Sequence, residues 1–546
     1  MSEVYADILN SLTSGLYNEV NYAVREYIQN SYDAIKDAIR SGLPEPEESY
    51  HIAINITKDN RIVTISDNGI GMNEGLLNEY TSIGGGTKTD PELTGFRGIG
   101  KLSGLRFFEK FVIRTKMAGS VSGYELSWDC GNMMKMLSKR PEDTKRIPYT
   151  KFIKDFYTIT EVKGEDKDKH YTHIQLINVV DAFKDQVSTD KIGDFIKSNC
   201  PVPYIQEFQY ANDIINNVGD DLFFVNVFLN DDRIICQYYE NKYGLVPPFF
   251  RIIKYRDKIR AKVWFSWVRD KAENIESAEI EGIKFRCKGI CVGDKNLFVK
   301  HCMPPGRGEK SKWFTGEVVV LDENVLPNTA RDRFNEGDDS KALYDSLKKE
   351  VGKELSLIAD MRSTLSAAKQ DVEKLVKAQK KGESINAAAS KAIDARIKEL
   401  MRYRDKGTKY GLDFDVVSEL ETLKKGAEIK VIEKVRTISD EVDETIAKGD
   451  RGALVRKLIE LKDEEAQAPT KTSRKEFEKP IKKIIEVITD KGDDRAVKSD
   501  TGNAENDKEL TGESVIRLLI RYLNKIGISY DEKDVRSFVM KEINNV

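Results

Sequence analysis

The chain has 546 residues, of which 40% are hydrophobic and 33% charged, and its 88 basic and 91 acidic residues leave a formal net charge of −3. This length exceeds what one hydrophobic core supports, so we expect two to four domains. The balanced charge gives no overall argument for a nucleic-acid, membrane or acidic partner. The sequence lacks a bilayer-length apolar run and a signal-peptide pattern, which predicts a soluble cytoplasmic protein without a membrane partner.

Six cysteines are too few for a disulfide framework in a chain of this length. Cys287, Cys291, His301 and Cys302 cluster in the sequence, but their spacing matches no common zinc pattern. The first two also fall in an alternating, strand-like segment, so we expect packing thiols there.

Residues 1–205 predict a domain of the α+β class. The first 45 residues have helical spacing, and the segments HIAINI and RIVTIS alternate as the two strands of a β-hairpin. FEKFVIRTK, GYELSWD and HYTHIQLINV predict further strands of an antiparallel sheet. Between these groups, residues 73–104 are glycine-rich and weakly periodic, which predicts a mobile loop.

Residues 206–337 predict a second, strand-rich domain that includes DLFFVNVFLND, AKVWFSWV, GIKFRCKGICV and GEVVVLDE. Residues 338–490 predict a helical region, because apolar residues from Leu343 to Leu375 trace one helical stripe. Such a stripe suits a coiled coil or a packed bundle equally. Residues 491–509 predict a disordered linker, and residues 510–546 a closing pair of helices.

The helix predicted at AVREYIQNSYDAI carries Glu26 and Asn30, which are four residues apart and therefore share a face. A carboxylate there can accept a proton from an attacking water, and an amide oxygen can ligate Mg²⁺ without adding charge. Taken alone, the pair also fits an ordinary exposed helix face.

Two glycine-rich motifs follow. DNGIGM places Asp67 at a strand end, where it could accept a hydrogen bond from an exocyclic amine, although Asp-Asn-Gly is also common in turns. In GFRGIGKLSG, backbone N–H groups could converge on phosphate oxygens, and Lys101 could pair with a phosphate. It is not a P-loop, because Leu102 replaces the Mg²⁺-binding hydroxyl.

Together and in this order, the motifs resemble those of the ATPase superfamily that unites gyrase, the ninety-kilodalton heat-shock chaperones, histidine kinases and MutL (GHKL). The resemblance implies an N-terminal α/β-sandwich domain that binds ATP with Mg²⁺ and hydrolyses it. It makes Glu26 the general base, Asn30 the Mg²⁺ ligand and Asp67 the adenine reader, with residues 83–88 as a lid hinge. The other nucleotide-binding residues that it implies are Gly69, Gly71, Met72, Gly95, Gly98, Ile99, Gly100, Lys101 and, as a weaker candidate, Thr172.

A second resemblance lies in FTGEVVVLDENVLPNTARDRF, which is similar to a segment of the chaperone middle domain. It implies a middle (transducer) domain whose catalytic arginine is Arg331, beside Asn328. A surface loop at a helix start is the alternative. The resemblance covers residues 15–340, and the helical region beyond them does not look like the chaperone dimerisation domain.

Two functional hypotheses follow from these resemblances. The first is an ATP-gated homodimeric clamp that acts on a protein client or effector, as chaperones do. The second is a nucleic-acid-engaging ATPase of the MORC, MutL or topoisomerase type, whose MORC-like form could serve antiviral defence in bacteria. Its nucleic-acid contacts would come from the loop MPPGRGEKSKW and from Lys-rich stretches, which also fit solvated surfaces.

Overall fold

A computed structural model describes residues 5–6, 8–9, 19–46, 49–83, 100–139, 147–219, 224–230, 233–269 and 274–489, together with residues 516, 520, 533 and 536. The chain divides into two compact units, Met1–Ala359 and Asp360–Val546. Within the described ranges, no helix is long and apolar enough to cross a membrane.

The first unit combines helices with two sheets, in agreement with the predicted α+β class. Its described helices are α1 (Val20–Arg40), α2 (Glu74–Tyr80), α3 (Cys130–Lys139), α4 (Tyr149–Ile153), α5 (Thr189–Asn199), α6 (Ala211–Val218), α7 (Lys295–Cys302) and α8 (Asp338–Leu347). Its strands are β1 (His51–Ile56), β2 (Ile62–Asp67), β3 (Phe108–Lys116), β4 (Ser122–Asp129), β5 (Tyr157–Lys163), β6 (Tyr171–Val179), β7 (Asn226–Leu229), β8 (Arg233–Ile234), β9 (Phe249–Tyr255), β10 (Lys258–Trp267), β11 (Gly282–Cys287), β12 (Ile290–Val292) and β13 (Phe314–Val320).

The larger sheet has the strand order β5-β4-β3-β6-β2-β1-β7-β8. The predicted hairpin is present as the antiparallel pair β1–β2, and the three further predicted strands are β3, β4 and β6. Buried and half-buried residues alternate along β1 and β2, because only one face of the sheet packs into the core. Buried residues of α1 belong to the same core.

The larger sheet does not end at residue 205. β7 pairs parallel with β1, and β8 follows β7, so residues 226–234 complete this sheet. The hydrophobic pattern of a strand does not indicate which strand it pairs with. The sequence therefore could not reveal that β7 joins the larger sheet. The domain boundaries at 205, 337, 490 and 509 stay predictions.

The prediction of a loop over residues 73–104 was wrong for residues 74–80, which form α2. Asn73 caps this helix, because its Oδ1 accepts a hydrogen bond from the Leu76 N–H at 2.9 Å. The sequence signal that was missed is the Asn73 cap. The helix that it starts is too short to show a clear 3.6-residue period. Residues 84–99, with most of the predicted lid hinge, lie outside the described residues.

The smaller sheet has the order β12-β11-β13-β10-β9. GIKFRCKGICV, predicted to be strand-like, forms the hairpin β11–β12. Its turn residues Lys288 and Gly289 have φ values of +53° and +79°, the left-handed conformation that tight hairpins require. Cys287 and Cys291 are buried in this hairpin.

Helices fill the second unit, as predicted. They are α9 (Lys353–Lys380, which begins in the first unit), α10 (Ala387–Gly407), α11 (Val416–Lys448), α12 (Arg451–Gln467) and α13 (Lys471–Thr489). One hydrophobic cluster joins α9, α10 and the start of α11, and another joins the rest of α11 to α12 and α13. The helices therefore pack as a bundle of successive neighbours. The predicted linker and closing helices lie outside the described residues, except for the four isolated positions.

A buried ion pair anchors the smaller sheet. Arg286 on β11 donates through Nε to Glu317 Oε1 on β13 at 2.8 Å, and the two side chains are only 2% and 1% exposed. Arg286 also donates to the Cys200 carbonyl at 3.3 Å, just after α5. It therefore connects the smaller sheet to a helix that packs against α1.

We expect Arg286→Met to lower the free energy of unfolding by about 3–5 kcal/mol, because it leaves the Glu317 carboxylate buried without its counter-charge. Glu317→Leu should lower the free energy of unfolding by a similar amount, because it leaves the Arg286 guanidinium buried without its counter-charge. The double variant should lose at least about 1 kcal/mol less than the sum of the single losses. Urea unfolding followed by tryptophan fluorescence measures this, since Trp264 lies opposite Glu317 in the sheet. Additive losses would contradict a coupled pair.

Candidate active site

The site is built on one face of α1. Glu26, Asn30 and Asp33 are spaced by four and three residues, so they lie along this face one turn after another. Glu26 is 8% exposed and Asp33 is fully buried, while Asn30 is half-buried. The alternative of an ordinary exposed helix face therefore does not hold for the Glu26–Asn30 pair.

Arg25, which the sequence analysis did not single out, ties Glu26 to the rest of the unit. Its Nη2 lies 3.0 Å from Glu26 Oε1 and donates to the Ala330 carbonyl at 3.2 Å. Its side chain is only 2% exposed. A lone arginine in AVREY looks like any surface residue in sequence, so only its burial against a distant loop reveals its importance.

The loop that carries Arg331 is closed by Asn328. The Asn328 carbonyl accepts from the Arg331 N–H at 3.1 Å, and its side-chain oxygen accepts from the Asp332 N–H at 3.1 Å. The Arg331 carbonyl in turn accepts from the Gly293 N–H at 2.8 Å, just after β12. This loop is held to the smaller sheet and brought onto α1 through Arg25.

Arg331 itself is buried, with 8% of its surface exposed, and it has a left-handed φ of +56°. Burial lowers the pKa of its guanidinium, and the nearby Glu26 carboxylate opposes this shift. The structure thus brings together the predicted arginine and the predicted base, 305 positions apart in the sequence. The exposed-surface-loop alternative does not hold for Arg331.

Asp67 is at the end of β2 and is 5% exposed. Its Oδ2 accepts from Ser31 Oγ at 2.6 Å, and its Oδ1 accepts from the Gly69 N–H at 3.0 Å. Thr172 lies directly opposite Asp67 in the β2–β6 register. The carboxylate is therefore held rigidly at one end of the sheet by α1 and by the turn that follows β2.

Two hydroxyls that the sequence analysis missed complete this end of the site. Ser31 bonds Asp67, and Thr115 Oγ1 lies 3.2 Å from Thr172 Oγ1 while it accepts from the Met72 N–H at 2.9 Å. Met72 and Thr172, both predicted as nucleotide contacts, are thus linked through Thr115, and Thr172 lies opposite Asp67 in the sheet. Serine and threonine are too common in sequence for either hydroxyl to have been recognised.

Gly69 and Gly71 are needed for close backbone approach. A Cβ on Gly69 would lie 2.6 Å from the Ala34 carbonyl carbon in α1. Gly71 has a φ of +70°, and its Cβ would lie 1.9 Å from the Lys116 carbonyl oxygen. Both glycines allow the turn after β2 to lie between α1 and β3.

Gly100 lies against the predicted base, since its Cβ would stand 2.3 Å from Glu26 Oε2. Any larger residue would displace the carboxylate or the loop. Gly95, Gly98 and Ile99 of the same motif lie outside the described residues, so their phosphate contacts stay predictions.

Lys101 is not directed to Glu26. Its amine donates to the Glu79 carbonyl and lies 6.0 Å from the centroid of the Tyr80 ring, at the end of α2. Burial lowers the pKa of Lys101 to about 8. In this arrangement the side chain fastens the end of the phosphate motif to α2, and its predicted phosphate contact stays a prediction.

The described residues fit ATP and Mg²⁺ chemically. Asp67 presents an anchored carboxylate, the chemical type of group that accepts from an exocyclic amine, and Gly100 leaves backbone immediately beside Glu26. Asn30 offers a neutral oxygen on the same helix face. No group of three or more His, Cys, Asp and Glu residues suited to a metal occurs in the described part of the chain. A single protein oxygen such as that of Asn30 suits Mg²⁺, which is commonly held by one or two protein oxygens together with phosphates and water.

The basic loop considered for nucleic-acid contacts has partners of its own. Lys312 pairs with Glu309 at 2.8 Å, and Lys310 lies 3.7 Å from the centroid of the Trp313 ring. Two cations of this loop therefore already have partners within the protein, as on an ordinary solvated surface.

Comparison with known proteins agrees with the geometry of the site. Residues 17–163 match the family described as histidine kinase-, DNA gyrase B- and HSP90-like ATPase. The chaperone protein HtpG of Francisella tularensis subsp. holarctica is 28% identical over 166 residues, which are 26% of this chain and 26% of the relative. HtpG of Acinetobacter baylyi is 27% identical over 144 residues, 23% of this chain and 22% of the relative.

HtpG of Rickettsia akari is 26% identical over 200 residues, 33% of this chain and 30% of the relative. The chain therefore spans only about a quarter to a third of the curated relatives that it matches. The family match covers α1, which carries Glu26, the turn after β2, which holds Asp67, and Gly100, which lies against Glu26. Residues 17–163 therefore belong to an ATPase domain of the GHKL superfamily, and within it this domain is related to the HSP90-like HtpG chaperones.

Proposed function

We propose that the protein binds ATP with Mg²⁺ and hydrolyses it, with Glu26 as the general base and Arg331 as the cation that stabilises the transition state. One observation carries this proposal: Arg331, buried on a loop of the smaller sheet, lies near enough to Glu26 on α1 for the carboxylate to oppose the effect of burial on the pKa of the arginine. Arg25 contacts both the base and the arginine loop. Buried charges are costly, so such a cluster is more typical of a functional site than of a packing element.

Each residue has a stated role in this proposal. Asp67 accepts a hydrogen bond from the adenine amino group, supported by Ser31 and with Thr172 opposite. Asn30 holds Mg²⁺, which neutralises phosphate charge when it is bound. Glu26 takes the proton of the attacking water, and Arg331 offsets the negative charge that develops as the terminal phosphate is transferred.

Glu26→Ala should bind ATP within a few-fold of the wild-type affinity but lose steady-state hydrolysis, because the proton acceptor is gone. Arg331→Ala should lower kcat by about 10²- to 10³-fold, the range for removing one transition-state donor. A coupled assay of ATP turnover with Mg²⁺, together with calorimetric ATP binding, separates the two effects.

Two control variants change exposed charges of the same types. Arg333→Ala changes an arginine in the same loop whose side chain is 60% exposed, and Glu109→Ala changes an exposed carboxylate on β3. Both should retain turnover within about twofold, as exposed charges contribute little. Normal turnover by Glu26→Ala would end the assignment of the base and leave an ATP-binding protein without hydrolysis.

We further propose that ATP binding closes the predicted lid, whose hinge is residues 83–88, and drives two chains into a clamp that acts on a protein client. Support comes from the buried arginine loop, which couples the smaller sheet to the nucleotide site. It also comes from the relatives, which are named as chaperones. In such cycles, closure of a lid commonly commits the substrate and completes the catalytic arrangement.

Light scattering after size exclusion should show a larger fraction of dimer with Mg²⁺ and a non-hydrolysable ATP analogue than without nucleotide. Asp67→Asn should abolish this shift, because it weakens the adenine contact, whereas Asp181→Asn, whose side chain is 85% exposed, should leave it intact. An unchanged monomer with the analogue bound would contradict the clamp while leaving ATP hydrolysis untouched.

A further inference from the structure

Hydrogen bonds to its backbone fix the turn after β2, which follows the predicted adenine reader. The Gly69 N–H donates to Asp67 Oδ1 at 3.0 Å. The Ile70 N–H donates to the Ala34 carbonyl of α1 at 3.0 Å, and the Ile70 carbonyl accepts from the Ala118 N–H, just after β3, at 3.3 Å. The turn is therefore held between α1 and β3, and the position of the Asp67 carboxylate depends on the orientation of the Gly69 backbone.

The carbonyl of Gly69 is held by a side chain from another part of the sheet. The Nδ1 atom of His170, a half-buried residue directly before β6, lies 2.7 Å from the Gly69 carbonyl oxygen. A carbonyl oxygen can only accept a hydrogen bond, so Nδ1 must carry the proton and donate it. The distance is at the short end of the range for N–H···O bonds. His170 therefore ties the start of β6 to the turn that follows Asp67.

The segment that presents His170 is fixed as well. Lys116, at the end of β3, is fully buried. Its amine donates to the carbonyl of Lys167 at 3.4 Å and to the carbonyl of Lys169. The backbone N–H of Gly119 also donates to the Lys167 carbonyl, at 3.3 Å. The imidazole therefore comes from a segment that is itself anchored to β3, and it can hold the turn in one position.

Both polar backbone groups of Gly69 are thus engaged, its N–H by Asp67 and its carbonyl by His170. Glycine has the greatest backbone freedom of any residue, so its orientation must be fixed by its partners. Gly69 is also buried, and a buried carbonyl that loses its donor is left unsatisfied or turns towards another partner. A change in the Gly69 backbone would move or release the Asp67 carboxylate that is bonded to it.

We propose that His170 is a positioning residue for nucleotide recognition. Its Nδ1–H group holds the Gly69 backbone and thereby keeps the Asp67 carboxylate where it accepts from the adenine amino group. This inference rests on the proposed ATP binding, and it requires no contact between His170 and the nucleotide. It assigns His170 an effect on nucleotide affinity and none on the chemical step, because Glu26 precedes Ala34 by eight residues and so lies about 12 Å away along α1.

His170→Leu removes the donor and keeps a side chain of similar size. We expect the dissociation constants of ATP and ADP to rise by the same factor, about tenfold, which corresponds to the loss of one net hydrogen bond. The factors are equal because the turn holds the residue that recognises the base common to both nucleotides. The kcat for ATP should stay within about twofold of the wild-type value, since only binding is weakened. Calorimetric titration measures the affinities, and steady-state turnover measures kcat.

Two further variants test the hydrogen bond itself. His170→Asn places an amide N–H near the position of Nδ1 and should bind ATP within about twofold of the wild-type affinity. His170→Gln is equally polar, but its amide lies one bond further out, near the position of Nε2, so it should show most of the loss of His170→Leu. The control is His173→Leu, which changes a half-buried histidine on β6 whose Nδ1 lies 2.6 Å from the Ser66 hydroxyl. It should leave ATP affinity unchanged.

Three results would overturn the inference. A folded His170→Leu with wild-type ATP affinity would show that the contact is not needed. Equal affinities of His170→Asn and His170→Gln would show that the Nδ1–H group is not what holds Gly69, and this comparison decides the matter even if His170→Leu does not fold. An equal loss in His173→Leu would point to a general loosening of β6. Failure of the proposed function has a different signature, since the wild-type protein would then bind neither ATP nor ADP.

Discussion

The ion pair between Arg25 and Glu26 is the contact on which the candidate site depends. A single guanidinium lies 3.0 Å from the carboxylate of the proposed base and donates at 3.2 Å to the backbone of the loop that carries Arg331. The side chain that fixes the base therefore also fixes the distance between α1 and the smaller sheet. Small movements of that loop would be felt at Glu26, because buried side chains have little room to adjust independently.

Around this contact, α1 and the loop that packs against it contain an unusual density of buried charge. Arg25, Glu26 and Asp33 come from α1, and Arg331 comes from the loop of the smaller sheet. Isolated ions in a protein interior cost several kcal/mol each, and well-packed apolar side chains would often stabilise the fold as well or better. The cluster is therefore poorly explained by stability alone. It is well explained by a site where charge develops during a reaction.

The sequence allowed the α+β class, five of the eight strands of the larger sheet and the helical second unit to be predicted, because each rests on a local period. It also pointed to Glu26, Asn30, Asp67 and Arg331 through motif order. It did not reveal Arg25, Ser31 or Thr115, whose roles come from partners far away in the chain. The hairpin turn at Lys288–Gly289 and the addition of β7 to the larger sheet were missed for related reasons, since one depends on backbone conformation and the other on strand pairing.

We propose that Glu26 and Arg331 of one chain serve the same nucleotide. A crystal structure with Mg²⁺ and a non-hydrolysable ATP analogue tests it most directly. We expect the adenine amino group at Asp67 and the Arg331 guanidinium within hydrogen-bond distance of the terminal phosphate bound by its own chain. A terminal phosphate beside Glu26 with Arg331 turned away from it, or reached by an arginine of another chain, would contradict the claim.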